Sequence, residues 1–302
     1  MMFLNLRRTL SCAIFLYLLP GCKNESASQA LSADTSLAAS PGAKQELILL
    51  NQHYGDDSLQ TVDIYLPAGR SPKRTHLMVF VHGGGWMGGD KSDFSAACEG
   101  LVRNTTFSPA FAYVNVNYRL VKDGKNKFPT AEEDLVAAMN YMYAHADSFL
   151  VSPLSALIGA SAGGQLTTLI AYKHNEKKNI KCVVSNWGPY NLARMYKEGS
   201  SGVPELMVVV LGATPSENPE IYAASSPVTY VSSDSPPTFL AHGKQDSLVR
   251  ISQGNELDSV LSKNKVPHVF YTFDGYHGYS SDLVANDAAD KMFHFIAKYT
   301  TE

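Results

Sequence analysis

Five consecutive residues, Gly159-Ala160-Ser161-Ala162-Gly163, fit the pattern G-x-S-x-G. The apolar run Leu154–Ile158 precedes them, and a helical stretch, Gln165 to Tyr172, follows. In that context the chain must turn sharply from strand to helix, which holds the serine in a strained conformation with its hydroxyl exposed. Side chains at positions 159 and 163 would collide with neighbouring strands. The helix that starts after Ser161 points its positive end at any oxyanion that develops on an attacked carbonyl. The chemistry implied is nucleophilic attack on an acyl group.

A second segment supplies what such an attack needs. The apolar run Leu77–Val81 leads into His82-Gly83-Gly84-Gly85-Trp86, followed by Gly88-Gly89-Asp90-Lys91. Glycines let a loop turn its N–H groups toward a substrate without interference from Cβ. The amides of Gly84 and Gly85, with that of Ala162, would form an oxyanion hole. One such donor typically contributes ~3 kcal/mol of transition-state stabilisation. The rival reading is a phosphate-binding loop, but neither G-x-x-x-x-G-K-[ST] nor G-x-G-x-x-G is present.

These loops need a frame. Besides the runs already named, Phe111–Val116, Ile180–Val184, Thr238–Ala241 and His268–Phe273 are short and nearly continuously apolar, as strands covered on both faces are. The clearest helix runs from about Ala131 to His145. Thr130 and Glu133 form a capping-box pattern there, and Leu135, Ala138, Met139 and Met142 recur on one face. Alternating strands and helices predict one α/β domain over residues 46–302, a mainly parallel sheet flanked by helices, with its site beyond the carboxyl ends of the strands.

HGGGW and GASAGG together resemble the α/β-hydrolase esterases related to hormone-sensitive lipase. The likeness is greatest to the branch of bacterial acetyl-ester and feruloyl or acetyl-xylan esterases. It extends through Asn117-Tyr118-Arg119-Leu120, Phe128-Pro129 and Glu133-Asp134-Leu135. Ala160 stands where many relatives of hormone-sensitive lipase carry Asp, which favours the neighbouring branch. The resemblance implies the chain order Ser, acid, His. His242-Gly243-Lys244-Gln245-Asp246 is similar to the family's acid turn, and Asp274-Gly275-Tyr276-His277-Gly278 to its histidine loop. The implied triad is Ser161, Asp246 and His277, with Asp274 as the rival acid. His242 is expected to brace the acid turn, and His294 to pack into the core from the last helix. No metal or organic cofactor is implied.

The chain has 302 residues, 45% hydrophobic and 18% charged, and a net charge of −3. With 25 Lys plus Arg against 28 Asp plus Glu, nothing points to nucleic acid. Four cysteines without a CxxC pair support neither a disulfide scaffold nor a structural zinc site. Arg7 and Arg8, the apolar Leu10–Leu19 and then Leu19-Pro20-Gly21-Cys22 resemble a bacterial lipoprotein signal. The expectation is a signal peptide at residues 1–21, lipid on Cys22, and a Ser- and Ala-rich tether up to residue 45. The protein would then be exported and held at a membrane by its lipid, without a spanning helix. Whether Cys98 and Cys182 pair is open.

The resemblance implies a carboxylesterase acting through an acyl-enzyme on short acyl groups, such as acetyl, carried by a larger alcohol, with carbohydrate esters as candidates. Trp86 and Trp187 are expected to touch the substrate. Residues 186–237 read equally as a cap over the site or as extra helices covering the sheet edge. Two rivals differ in class: an amide hydrolase resembling kynurenine formamidase, and a catalytically inactive, lipid-anchored binding protein.

Overall fold

The computed structural model describes residues 45–104 and 110–300. Its strands are β1 Leu47–His53, β2 Thr61–Leu66, β3 His76–Val81, β4 Phe111–Val116, β5 Ser155–Ala160, β6 Ile180–Asn186, β7 Thr238–Gly243 and β8 His268–Phe273. They form one sheet in the order β1-β2-β4-β3-β5-β6-β7-β8. From β4 to β8 every neighbouring pair is parallel, whereas β2 runs antiparallel to both β1 and β4. The helices are α1 Ser95–Arg103, α2 Thr130–Ala144, α3 Ala146–Phe149, α4 Ala162–Lys173, α5 Leu192–Glu198, α6 Val203–Leu211, α7 Pro219–Ala224, α8 Ser252–Lys263 and α9 Asp282–Thr300.

Strands β3, β4 and β5 are buried along their whole length because both faces of the sheet are covered. Alternate side chains go to opposite layers. Leu77, Val79 and Val81 join Leu135, Met139, Leu166 and Ile170 from α2 and α4. Met78 and Phe80 join Leu101, Phe295 and Ile296 from α1 and α9. Burying each large apolar side chain contributes roughly 1.5–3 kcal/mol, which fixes the strand ends that carry the loops.

The first two strands do not stand out in the sequence. β1 lies at the sheet edge and is only partly buried. β2 is fully buried but interrupted by Asp63, whose carboxylate takes Lys91 Nζ at 2.8 Å and the Asn51 amide at 2.7 Å. The capping box is not formed. Thr130 is the first residue inside α2, Pro129 is the N-cap, and no side chain caps the helix. Leu135, Ala138, Met139 and Met142 are buried as expected. Asp134 faces inward instead of serving the helix dipole, and accepts hydrogen bonds from the Arg119 amide, its guanidinium and Gln60.

His294 does not pack into the core. Its side chain is 78% exposed, because the buried face of α9 runs through Ala288, Met292, Phe295 and Ile296 and leaves position 294 on the outside. Cys98 and Cys182 are both buried and free, and Cys98 Sγ donates to Asn115 Oδ1. Residues 1–22 and nearly all of the tether lie outside the described residues.

Candidate active site

Strand β5 ends at Ala160 and α4 begins at Ala162, so Ser161 takes the whole turn, with φ 55° and ψ −122°. A residue with a side chain is held there at a cost of ~1–3 kcal/mol. Two backbone hydrogen bonds keep it in place, from the Ser161 amide to Asn186 O at 2.9 Å and from the Gln165 amide to Ser161 O at 3.1 Å. The glycines are required by close approach. A Cβ on Gly159 would run into the Gly163 backbone, and one on Gly163 into the carbonyls of Val81 and His82.

The loops after β7 and β8 bring the other two residues to the serine. His277 Nε2 lies 2.9 Å from Ser161 Oγ, and His277 Nδ1 lies 2.7 Å from Asp246 Oδ2. An ionised carboxylate can only accept, so Nδ1 carries the proton and Nε2 faces the hydroxyl as an acceptor. The other carboxylate oxygen of Asp246 accepts from the amides of Leu248 and Val249 at 3.0 and 2.9 Å. Burial alone would raise the pKa of Asp246. Hydrogen bonds from His242 and His277, the positive charge available to His277, and the Val249 amide outweigh it and hold the group at about 2. His242 does brace the turn: its Nε2–H donates to Val249 O at 2.8 Å and lies 3.5 Å from Asp246 Oδ2. Asp274 is exposed and faces Lys244, away from the role of acid.

Gly84 and Gly85 have φ values of 103° and 61°, and Trp86 follows at 59°. Gly84 O accepts the amides of Met87 and Gly88, which folds the loop back on itself. Among the described residues, the amides of Gly84, Gly85 and Ala162 donate to no protein acceptor. A Cβ on Gly83 would lie 3.2 Å from Ser161 Cβ, so this loop abuts the serine. His82 is buried and stacked on Tyr118, with ring centroids 4.3 Å apart, and burial lowers its pKa to about 4. At the far end Asn117 clamps the loop, accepting from the Lys91 amide and donating to Asp90.

Trp86 is buried and its Nε1–H donates to Gln165 Oε1 at 3.0 Å. Sequence reasoning missed Gln165, since nothing in a helical glutamine marks it as a partner for a loop 79 positions earlier. Trp187 corrects an expectation. It is fully buried among Phe273, Tyr279 and His277, and offers no surface to a bound molecule. The insertion at 186–237 carries α5, α6 and α7, and α6 leans over the glycine loop: a Cβ on Gly85 would lie 3.6 Å from Leu206 Cδ2. This part of the insertion therefore lies against the glycine loop. The arrangement as a whole can deprotonate Ser161 as it attacks a carbonyl and receive the resulting negative oxygen.

The chain matches the BD-FAE family over residues 62–261. It is 25% identical over 263 residues to Esterase LipC of Mycobacterium tuberculosis, covering 82% of this chain and 64% of that protein. To the probable carboxylic ester hydrolase LipM of the same organism it is 29% identical over 170 residues, covering 52% of this chain and 39% of that one. The chain thus spans less than two thirds of the length of these relatives. A truncated carbohydrate esterase from gut microbiota superposes with a TM-score of 0.72 at 21% identity, covering 86% of this chain and 98% of that one. A thermophilic esterase from Thermogutta terrifontis superposes at 0.66 and 19% identity, covering 85% and 93%. At these identities the superpositions speak for the α/β-hydrolase fold.

Proposed function

The chain belongs to the BD-FAE family of α/β-hydrolase esterases, and on that premise we propose that it is a serine carboxylic ester hydrolase. The observation that carries this reading is the unbroken hydrogen-bonded line from Asp246 through His277 to Ser161. Ser161 Oγ bonds to the ester carbonyl carbon while its proton passes to His277 Nε2. The carbonyl oxygen becomes an oxyanion and takes the amides of Gly84, Gly85 and Ala162. Collapse of this intermediate breaks the bond to the alcohol, which leaves with the proton from His277. Water then attacks the acyl-serine by the same route in reverse, releasing the carboxylic acid and restoring the hydroxyl. Asp246 holds His277 in the tautomer that makes this possible.

On the acyl side, the wall of Trp86 and Leu206 favours a short group such as acetyl. The alcohol leaves on the side of His277, where Tyr276 is 72% exposed, and this open flank suits a large alcohol. The carbohydrate esterase among the structural neighbours makes a sugar ester the first choice. We also propose export and lipid attachment at Cys22. Labelled palmitate would then enter the full chain and not its Cys22→Ala variant.

The test of the central reading is hydrolysis of p-nitrophenyl esters from acetate to dodecanoate by the protein and by Ser161→Ala. Turnover greatest on short chains and lost in the variant is the expected result. A folded protein without activity on any ester would overturn it and turn attention to formamide substrates.

A further inference from the structure

Trp86 and Gln165 tie together the two halves of the site. Trp86 directly follows Gly85, and Gln165 lies one helical turn beyond Ser161, donating its amide to Ser161 O. Both side chains are buried, and they meet through the indole N–H at 3.0 Å. Gln165 Nε2 donates in turn to Ser225 O at 2.8 Å, at the end of α7 in the insertion. The Gln165 side chain thus uses its carbonyl and one of its two N–H groups, and the indole is held in one orientation.

Behind this pair lies a small cavity. Its walls are mostly apolar, with Phe128, Leu166, Leu192, Val210 and Leu211 among them, and Trp86, Gln165 and Asn126 also line it. Ser161, Asp246 and His277 do not line it. Most of its surface is apolar, so aliphatic carbon entering it would regain contacts that its walls lack.

We propose that the Trp86–Gln165 pair is a partition between the acyl subsite and a largely apolar cavity, and that the pair sets the acyl chain-length limit. The inference rests on the ester-hydrolase reading. With the indole in place, an acyl group longer than a few carbons meets the ring edge and is refused. With the indole removed, the space it vacates joins the cavity to the subsite, and together they take the aliphatic tail of a medium-chain acyl group. Each methylene that enters such a space favours binding about fourfold.

The experiment compares kcat/KM for p-nitrophenyl acetate and hexanoate in the wild type, Trp86→Leu, Gln165→Leu, and the double variant Trp86→Leu/Val210→Phe. The expected result is that Trp86→Leu raises the hexanoate-to-acetate ratio by at least about tenfold over the wild type. The double variant, with the cavity refilled, brings the ratio back to within about threefold of it. Should Trp86→Leu fail to fold, Gln165→Leu, which frees the indole and also gives up the bond to Ser225 O, must move the ratio in the same direction. An unchanged ratio in a variant that still turns over acetate overturns the partition, as does a double variant that keeps the raised ratio. Wild-type protein inactive on every ester is a separate outcome, which removes the hydrolase reading and this inference with it.

Discussion

The Trp187 indole meets the His277 imidazole edge to face, with ring centroids 6.2 Å apart and planes inclined at 62°. Trp187 is also wedged against Tyr279, whose hydroxyl donates to Asn186 Oδ1 at 3.0 Å. The ring therefore limits how far the imidazole can retreat from Ser161. Its Nε1 has no hydrogen-bond partner among the described residues, so Trp187→Phe removes no polar contact seen there. That variant should stay folded and lose kcat about tenfold or more with little change in KM, because a misplaced base is felt in the transition state. Trp187→Ala should in addition cost ~3–5 kcal/mol of stability in urea denaturation. Equal kcat in wild type and Trp187→Phe would remove the positioning role.

Asp246 is held at about 2, well below its usual 3.8. A carboxylate depressed in this way stabilises the fold above the unfolded value, and that contribution is lost as pH falls from 3.8 through about 2. It is ionised throughout the neutral range, so it adds no limb to the pH–rate profile between pH 5 and 9. Asp246→Asn should lower kcat by ~10⁴, since an amide favours the wrong imidazole tautomer. The loss should be measured at pH 8 with an acetate ester. A variant within about tenfold of the wild type would point to another acid.

Strain at the elbow gives a prediction that needs no substrate. Ser161 sits at φ 55°, where a Cβ is unfavourable and glycine is not. Ser161→Ala and Ser161→Gly should both be inactive, yet the glycine variant should be the more stable by ~1 kcal/mol. Paired thermal melts decide it. If alanine proved the more stable, the strain would be absent.

The site was legible where chemistry imposes local spacing. Gly159 and Gly163 mark the elbow because close backbone approach forbids a side chain there, and Asp246 and His277 stand in short loops directly after strands. Six of the eight strands were legible too, as buried parallel strands read as apolar runs. The rest depended on distant partners. Asp63 breaks the pattern of β2 because Lys91 pairs with it across the fold, a relationship no window of sequence contains. Trp187 looked like a substrate contact because an aromatic after a strand end carries no sign of which way it turns, and it turned inward. His294 looked buried because its neighbours are, yet the helical period sets it outside the apolar stripe.

Burial of His82 against Tyr118 makes the fold itself acid-sensitive. Its pKa falls from 6.5 in the unfolded chain to about 4, because an imidazolium would lose its water there. The unfolded state therefore binds the proton first, so stability is full above pH 6.5 and declines as pH falls toward 4, levelling off below that. The total from this one group is on the order of 3 kcal/mol. Urea denaturation at pH 7, 6, 5 and 4 should show this decline in the wild type. His82→Gln, weaker at pH 7 for the lost stacking, should show a decline smaller by about that amount. Parallel pH dependence in the two proteins would mean that His82 keeps its ordinary pKa in the folded state.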